Sequence, residues 1–302
     1  MIIYYDLRPT PLFKQMFEAS GVGHVNHYRS KLSMYAMRHR IGRRIPRSMI
    51  YSRPAFKDGD DKIIVFDSYA SVRQLEWLHS EYPDKRIILW FWNVINNVDW
   101  LHHIPTFVEM WSYSATEAER FGIGHNTQFF FDCLAQEALE SRMAPPVERT
   151  PRAFFIGRDK GRGDEIRAIG RELEEAGLDV ELDIVPDISG KLRALREHLV
   201  PYRKVIDRVK EADILVDYVG RPDAGLSLRS MESIFFGKKL VTNNHEIEHA
   251  DFYDPANIYL LGRDERSLAE FAACPMVPIA DEIRDQYLLS NWLKRFDERP
   301  AR

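Results

Sequence analysis

The sequence has few cysteines, no long apolar run and no excess of one charge, and each absence removes a class of protein. Two cysteines among 302 residues cannot build a disulfide scaffold or a cysteine metal site, and they are typical of a reducing compartment. No stretch approaches the ~18 apolar residues of a membrane span, and Asp6 and Arg8 interrupt what would be the apolar part of a secretion signal. We therefore expect a cytoplasmic protein, soluble or peripheral at the inner face of the cytoplasmic membrane.

The charge balance and two missing motifs exclude further functions. A net charge of −4, from 42 basic and 46 acidic residues, argues against nucleic-acid binding by the whole surface. The chain contains neither GxGxxG nor GxxxxGK[ST], so dinucleotide binding and ATP hydrolysis lose support.

Apolar runs of strand length alternate with helical periodicity along most of the chain, which predicts an α/β fold with parallel sheets. A chain of this length with 45% hydrophobic residues is large enough for two domains. Residues 137–152 carry three prolines and several charges, which predicts a linker and domains at 1–145 and 146–302. The predicted strands of the first domain are Ile2–Tyr5, Ile63–Phe66, Ile87–Phe91, Val108–Ser112 and Thr127–Phe131.

The segment from Ala212 to Asn244 joins a predicted strand, a glycine-containing turn, a helix and a second strand. The first strand covers Ile214–Val219, and the helix is predicted to begin at Ser227 and to end before Gly237. In open α/β sheets ligands bind at the carboxyl ends of strands, and free N–H groups at a helix start favour phosphate. The segment therefore predicts an anion site.

A second glycine-rich turn, Gly157–Gly163, follows the predicted strand Ala153–Ile156. Its glycines permit close approach of the backbone to a ligand, and Arg158, Lys160 and Arg162 add cationic donors. Alone, such a turn is more often a solvated loop. Its pairing with the first turn favours a diphosphate site.

The second half carries motifs in a recognisable order. They are FFIGRDKGR at Phe154–Arg162, ADILVDYVGRPDAGLSLRSMESIFFGKKLVTNN at Ala212–Asn244, DFYDPANIYLLG at Asp251–Gly262 and IRDQYLLSNWLKRF at Ile283–Phe296. From Arg152 to Trp292 they resemble the donor-binding domain of GT-B-type glycosyltransferases, in particular bacterial enzymes of capsule, exopolysaccharide and lipopolysaccharide biosynthesis. The resemblance implies two Rossmann-like domains facing across a cleft, the first binding the acceptor and the second the nucleotide sugar, with carboxyl-terminal helices returning to the first domain.

The resemblance also assigns donor-binding residues. Glu232 would accept hydrogen bonds from the nucleotide ribose, and backbone N–H groups of the first turn would bind the diphosphate. The donor-binding set it implies is Gly157, Arg158, Lys160, Arg162, Asp217, Gly225, Leu226, Ser227, Arg229 and Glu232. In the alternative without a ligand, Glu232 is a surface helix carboxylate paired with Lys238 or Arg229.

Two further points of the donor site stay open. Asp217 either caps the turn at Gly220 or points at substrate. The common retaining pattern has a second glutamate seven residues before the ribose-binding one, where this chain has Gly225, so the choice between retaining and inverting transfer is open. No close Asp-x-Asp pair follows a predicted strand, and we expect neither a metal nor a cofactor besides the nucleotide-sugar substrate.

An inverting transfer needs a base that takes the proton of the acceptor hydroxyl. Asp67 is the first choice because it ends a predicted strand at its carboxyl edge. His24 and His27, in the loop GVGHVNH, are alternatives, although a lone loop histidine is more often a hydrogen-bonding or exposed residue than a base. The histidines suggest no defined metal site.

Between Arg29 and Arg53 there are eight Lys or Arg residues and no acidic one. Leu32, Met34 and Tyr35 are among the apolar residues interleaved with them, which favours contact with an anionic membrane or a lipid diphosphate acceptor. A solvated loop is the bland alternative, and nucleic acid is a weaker one. The candidate acceptor or membrane residues are Arg38, Arg40, Arg43 and Arg44.

The predicted function is a glycosyltransferase that moves a sugar from a nucleotide donor to a hydroxyl of a lipid-linked bacterial surface glycan. One alternative is a non-catalytic nucleotide-sugar-binding partner in a glycan-assembly complex, which would keep both turns without a working base. Another is a nucleotide-sugar epimerase of the same two-domain form.

Overall fold

A computed structural model describes residues 1–5, 11–38, 41–144, 149–187 and 200–298. The chain divides into two compact units, Met1–Thr127 with Leu293–Arg302, and Gln128–Trp292. The division precedes helix Asp132–Met143, whereas the proline-rich segment suggested a boundary after residue 145. That helix packs against helix Leu228–Phe236, and this contact places it in the second unit.

The first unit contains a six-stranded sheet whose neighbouring strands all run parallel, in the order β2-β1-β3-β4-β5-β6. The strands are β1 (Ile2–Tyr4), β2 (Gly23–Val25), β3 (Lys62–Phe66), β4 (Arg86–Phe91), β5 (Val108–Ser112) and β6 (Gly124–His125). The helices are α1 (Pro11–Ala19), α2 (Lys31–Arg38), α3 (Arg47–Ile50), α4 (Val72–Glu81), α5 (Val98–Leu101) and α6 (Ala115–Phe121), with 3₁₀ turns at Ile41–Arg44 and Arg295–Asp297.

The central strands β1, β3 and β4 are buried on both faces, as expected of parallel strands covered by helices. Alternate residues of β3 divide between the faces: Ile63 and Val65 pack in one cluster with Leu75 and Leu78 of α4, while Ile64 faces the other side. Strand β2 lies on one side of β1, and the chain then crosses to place β3 on the other side. The point between β1 and β3 is thus the switch point at which an open α/β sheet binds ligands.

The second unit repeats this strand order in a five-stranded parallel sheet, β11-β10-β9-β7-β8. The strands are β7 (Arg152–Arg158), β8 (Asp179–Val185), β9 (Ile214–Asp217), β10 (Lys239–Thr242) and β11 (Ile258–Leu260). The helices are α7 (Asp132–Met143), α8 (Gly163–Glu175), α9 (Tyr202–Glu211), α10 (Leu228–Phe236), α11 (Leu268–Ala273), α12 (Asp281–Asp285) and α13 (Leu289–Lys294), with a 3₁₀ turn at His245–His249.

The core of the second unit shows the same alternation. Phe155 of β7 and Val216 of β9 pack with Ile166 of α8 and Phe271 of α11, while α9 and α10 contact β7 and β9. The switch point lies between β7 and β9. Both predicted turns follow these two strands, so the fold brings them to the same edge of one sheet.

The predicted α/β class with two parallel sheets is confirmed. The predicted strand Thr127–Phe131 is wrong: Phe130 forms only an isolated bridge with Leu288, and α7 begins at Asp132. The apolar run is buried through aromatic contacts, such as Phe130 stacked on Phe235 with 4.3 Å between ring centroids. Two short strands, β2 and β6, were not predicted.

Candidate functional site

The start of α10 presents backbone donors at the carboxyl edge of the second sheet. Ser227 is the N-cap residue, and its Oγ accepts the N–H of Ser230 at 3.1 Å. Among the residues that the structure describes, the N–H groups of Gly225, Leu226 and Ser227 find no acceptor. Three consecutive donors before a helix start form the arrangement that binds phosphate.

The turn after β7 is built around Asp159, whose Oδ1 accepts the N–H groups of Arg162 at 2.9 Å and Gly163 at 2.8 Å. This closes the turn onto the start of α8 and holds Lys160 at a φ of +47°. The Arg162 guanidinium donates to the carbonyl oxygens of Tyr218 and Arg158. Arg162 therefore ties this turn to the end of β9.

Positive charge is concentrated at this edge of the sheet. Partial burial and the neighbouring guanidinium groups of Arg162 and Arg158 lower the pKa of Lys160. The two guanidinium groups disfavour the charged form of the amine because they carry the same sign of charge. Of the predicted donor set, the structure thus brings Arg158, Lys160 and Arg162 to the same edge as the α10 start, with Gly157 inside β7.

Two asparagines after β10, which the sequence predicts to serve the strand-to-loop turn, hold the loops of the site. Asn243 accepts the N–H of Val219 at 2.7 Å and donates to its carbonyl at 2.9 Å. Asn244 donates to the carbonyl of Gly225 at 3.1 Å. Their position at the carboxyl end of a third neighbouring strand is the signal that sequence reasoning had available.

Asp217 ends β9 and lies beside the helix start. Its Oδ2 accepts the hydroxyl of Ser227 at 2.7 Å, so it anchors the α10 cap rather than the turn at Gly220. Burial raises the pKa of Asp217, although this hydrogen bond opposes the shift. A role toward substrate stays a prediction.

Glu232 is 1% exposed and pairs with Arg229, which also lies over the ring of Phe154. Burial raises the pKa of Glu232, while Arg229 and a hydrogen bond from Tyr202 act in the opposite direction. The ribose-binding role of Glu232 stays a prediction. In this structure its carboxylate is engaged by Arg229, as in the alternative that the sequence left open.

In the first unit, Asp67 follows β3 directly at the switch point between β1 and β3. Its Oδ1 accepts the N–H of Trp92 at 3.1 Å, and the amide of Asn93 donates to both carboxylate oxygens at 3.1 and 3.0 Å. Burial raises the pKa of Asp67 to about 6, and these hydrogen bonds limit the shift. A carboxylate of this pKa is a suitable general base near neutral pH.

The turn after Asp67 carries Tyr69, which has a φ of +69° and is 43% exposed. Tyr69 and Lys160 are the non-glycine residues with positive φ in the described part of the chain, and each flanks the switch point of its sheet. Such strained residues occur preferentially at functional sites. No sequence pattern predicts a tyrosine at positive φ.

The loop after β4, which carries Asn93, is fixed by Glu117. The buried carboxylate of Glu117, at the start of α6, accepts the N–H of Ile95 at 2.9 Å. Asn93 follows β4 as Asp67 follows β3, so the rule about carboxyl strand ends was sufficient to find it. Nothing in the sequence marked Glu117.

The two candidate histidines are held by contacts within the fold. His27 is fully buried, with its Nδ1 3.0 Å from Oε1 of Gln74. His24 lies within β2, paired in register with Ile3, and its Nε2 is 3.8 Å from Glu18. These placements favour the structural alternative for both residues and leave Asp67 as the candidate base.

The basic segment forms an exposed surface with apolar residues. Leu32 is 75%, Tyr35 56% and Met49 61% exposed, and Arg44 is also exposed. Arg40 lies outside the described residues, as do the side chains of Arg38 and Arg43. In the described ranges, no helix has the length and apolar character needed to cross a membrane.

A pocket of about 500 Å³ in the second unit lies away from these sites. It borders Gly237, at the amino edge of β10, and contains Arg142 and Arg284. These arginines donate to the carbonyls of Phe235 and Ile234, the Arg284 bond at 2.8 Å. They therefore satisfy the last carbonyls of α10.

Comparison with known proteins adds no functional assignment. No family model matches the chain, and no curated sequence matches it. Within the described ranges, no group of three or more His, Cys, Asp or Glu residues is placed to hold a metal ion.

Proposed function

We propose that the protein is a GT-B-type glycosyltransferase that transfers a sugar from a nucleotide donor to a hydroxyl of a lipid-linked bacterial surface glycan. The observation that carries the proposal is the meeting of two turns at the switch point of the second sheet. Three backbone donors at Gly225–Ser227 follow β9, and the cations Lys160 and Arg162 follow its neighbour β7. This is the donor set that a nucleoside diphosphate requires.

The second unit would stabilise the leaving group. When the bond between the sugar's anomeric carbon and the diphosphate oxygen breaks, the electron pair leaves with the diphosphate. Fixed N–H groups and guanidinium charge at that position lower the energy of the transition state. The site does not depend on a metal in this proposal.

The first unit would supply the base of an inverting transfer. The ionised carboxylate of Asp67 takes the proton of the acceptor hydroxyl as its oxygen bonds to the anomeric carbon. Because the pKa of Asp67 is raised to about 6, kcat/KM should rise with pH up to about that value and then level off.

Nucleotide binding tests the proposal first. Thermal shift with UDP, GDP, CDP, dTDP and CMP, with and without magnesium, should show stabilisation by one diphosphate. At a ligand concentration 100 times Kd the stabilisation is about 2.7 kcal/mol, or about 5 to 10 °C for a unit of this size. Lys160→Gly keeps the positive φ and removes the charge, so it should weaken binding, whereas Arg167→Ala on exposed α8 should not.

The outcomes separate the proposed enzyme from its alternatives. Stabilisation by none of the nucleotides contradicts the donor site. If wild type and Asp67→Asn bind the nucleotide equally well and neither shows turnover, the protein is a non-catalytic partner. Conversion of the nucleotide sugar to an epimer without acceptor supports an epimerase.

We also propose that the basic segment of the first unit binds an anionic membrane, which suits a lipid-linked acceptor. Exposed Leu32, Tyr35 and Met49 lie in a segment that has eight cations and no acidic residue. Insertion of apolar side chains and about 1 kcal/mol per cation near the surface would act together.

A further inference from the structure

The turn between β3 and α4 holds a tyrosine where the backbone favours glycine. The N–H of Ala70 bonds to the carbonyl of Asp67 at 3.1 Å, and Tyr69, in the third position of this turn, has a φ of +69°. Turns of this kind need positive φ at that position, which glycine adopts without cost and tyrosine does not. The turn itself therefore gives no reason for a tyrosine.

The fold holds the strained residue firmly. The hydroxyl of Tyr28, a buried residue, donates to the carbonyl of Tyr69 at 3.2 Å. Tyr28 packs in turn against the ring of Tyr51, with 5.7 Å between the centroids. The Tyr69 backbone is thus fixed from the core while its side chain stays 43% exposed.

Ser68 and Asp67 directly precede this exposed residue in the chain, and Asn93 bonds to both of them. Asn93 is exposed, and its amide lies 3.2 Å from the Ser68 hydroxyl and 3.0 Å from the Asp67 carboxylate. These groups offer a hydroxyl, an amide and a carboxylate at one edge of the sheet. Pyranosides need this combination, because an aromatic ring packs on their C–H face while donors and acceptors bind their hydroxyls.

We propose that Tyr69 is the stacking face for a sugar ring of the acceptor and that Ser68 and Asn93 bind its hydroxyls beside Asp67. The inference rests on the proposed glycosyl transfer and names the substrate class of its acceptor site, a pyranoside. Tyr69 then determines acceptor specificity, and the strained backbone is the consequence of keeping an aromatic side chain at this turn.

Direct saccharide binding tests the inference independently of turnover. The probes are the methyl glycosides of glucose, galactose, mannose and N-acetylglucosamine, titrated by saturation-transfer NMR against the full chain. At least one should bind wild type saturably, with transfer from aromatic protons. Tyr69→Gly should weaken it about tenfold, and Tyr69→Phe should bind as wild type because the ring remains.

The controls separate loss of the ring from loss of the fold. Tyr69→Asn tolerates positive φ and should lose binding as Tyr69→Gly does. Arg167→Ala, on exposed α8 of the second unit, should leave glycoside binding unchanged. Melting temperatures of the variants at or above that of wild type show that each is folded.

Three results would overturn the inference. They are that wild type binds none of the glycosides saturably, that Tyr69→Gly binds with unchanged affinity, or that Tyr69→Phe loses binding. The proposed transfer can fail separately. Glycoside binding that depends on Tyr69, with no nucleotide bound by the second unit, sustains the saccharide site and contradicts the transferase. If Tyr69→Gly still transfers sugar with an unchanged acceptor KM, the transferase is supported and the saccharide site at Tyr69 is contradicted.

Discussion

Replacing Asp67 with asparagine is expected to stabilise the fold at neutral pH while it removes the proposed base. The side chain is nearly isosteric and uncharged, so the change isolates the carboxylate's ionisation. Burial raises the pKa of Asp67 from 3.8 to about 6. The folded state therefore holds the proton more tightly than the unfolded state, and ionisation opposes folding.

The expected magnitude follows from this shift. About two pKa units at 1.36 kcal/mol each give about 3 kcal/mol of lost stability at pH values above both pKa values. The loss of stability begins as the pH rises through the pKa of Asp67 in the unfolded state, and it is complete above the pKa in the folded state. In the variant, the new amide faces the Asn93 amide, and a poorly matched hydrogen bond costs about 1 kcal/mol. A net gain of about 2 kcal/mol is expected at pH 7.5, and none at pH 4.

Chemical denaturation of wild type and Asp67→Asn across this pH range measures the gain. Its size should follow a titration with a midpoint between 3.8 and about 6. Asp58→Asn, in an exposed turn, is the matched control and should have the stability of wild type. Turnover should fall strongly in the first variant and not in the control.

Two results would refute this reasoning. If Asp67→Asn is less stable than wild type at pH 7.5, the ionised carboxylate is a net stabilising hydrogen-bond acceptor for Trp92 and Asn93. If the stability difference does not change with pH, the carboxylate does not titrate in this range, and the assignment of Asp67 as a base poised near neutral pH loses its support.

Other substitutions test the remaining features. Arg229→Ala leaves the Glu232 carboxylate buried without its partner and should cost about 3 kcal/mol of unfolding free energy; adding Glu232→Gln should recover much of it, measured as a double-mutant cycle by urea denaturation. Leu32→Ser should reduce co-sedimentation with vesicles of mixed anionic and neutral lipid, and Arg44→Gln should reduce it about fivefold, corresponding to about 1 kcal/mol; vesicles of neutral lipid alone are the control. Lys160→Gly should raise the unfolding free energy by about 1 kcal/mol, because the strain of 1–2 kcal/mol exceeds the entropy that glycine adds; an unchanged or lower stability would mean that no strain is stored.

The elements that sequence reasoning predicted well are those with several independent local signals. Helix α10 has an N-cap serine, an apolar face and a terminal glycine, and the structure shows Ser227 as the cap and Gly237 at a φ of +62°. Long β-branched runs gave β3 and β4 for the same reason. Strands β2 and β6, of three and two residues, contain too few side chains for any periodicity to appear.

The error at Thr127–Phe131 shows what periodicity cannot distinguish. Phe129, Phe130 and Phe131 are all fully buried, so the apolar run was a correct sign of burial. Its partners are side chains: Phe129 lies 4.7 Å from the ring of Trp292. Whether a short apolar run pairs through its backbone or packs through its rings depends on elements that are distant in sequence.

The candidate site divides in the same way. The two glycine-containing turns after β7 and β9 were selected as candidates because glycines, cations and strand ends are visible in the sequence, and Asp67 because it follows a strand. The pairing of Arg229 with Glu232 was among the sequence's alternatives because the two residues lie three apart on one helix. The hydrogen bonds of Asn93 and Asn244 depend on side-chain positions that no local pattern encodes. The rule that ligands bind at the carboxyl ends of strands predicts which edge of the sheet carries the site. The hydrogen bonds between residues of that edge depend on how the neighbouring strands are aligned, which only the structure shows.

The strained residues connect these observations. A chain that folds by consistent local preferences should place glycine wherever φ is positive, as this one does at Gly122, Gly161 and Gly237. It departs from the rule at Tyr69 and Lys160, each beside the switch point of a different sheet. Local rules are broken mainly where function requires it. We therefore infer that the backbone strain at Tyr69 and Lys160 is tolerated because an aromatic ring is needed at one switch point and a cation at the other. A ring suits a sugar and a cation suits a phosphate, which are the two parts of the reaction proposed for this protein.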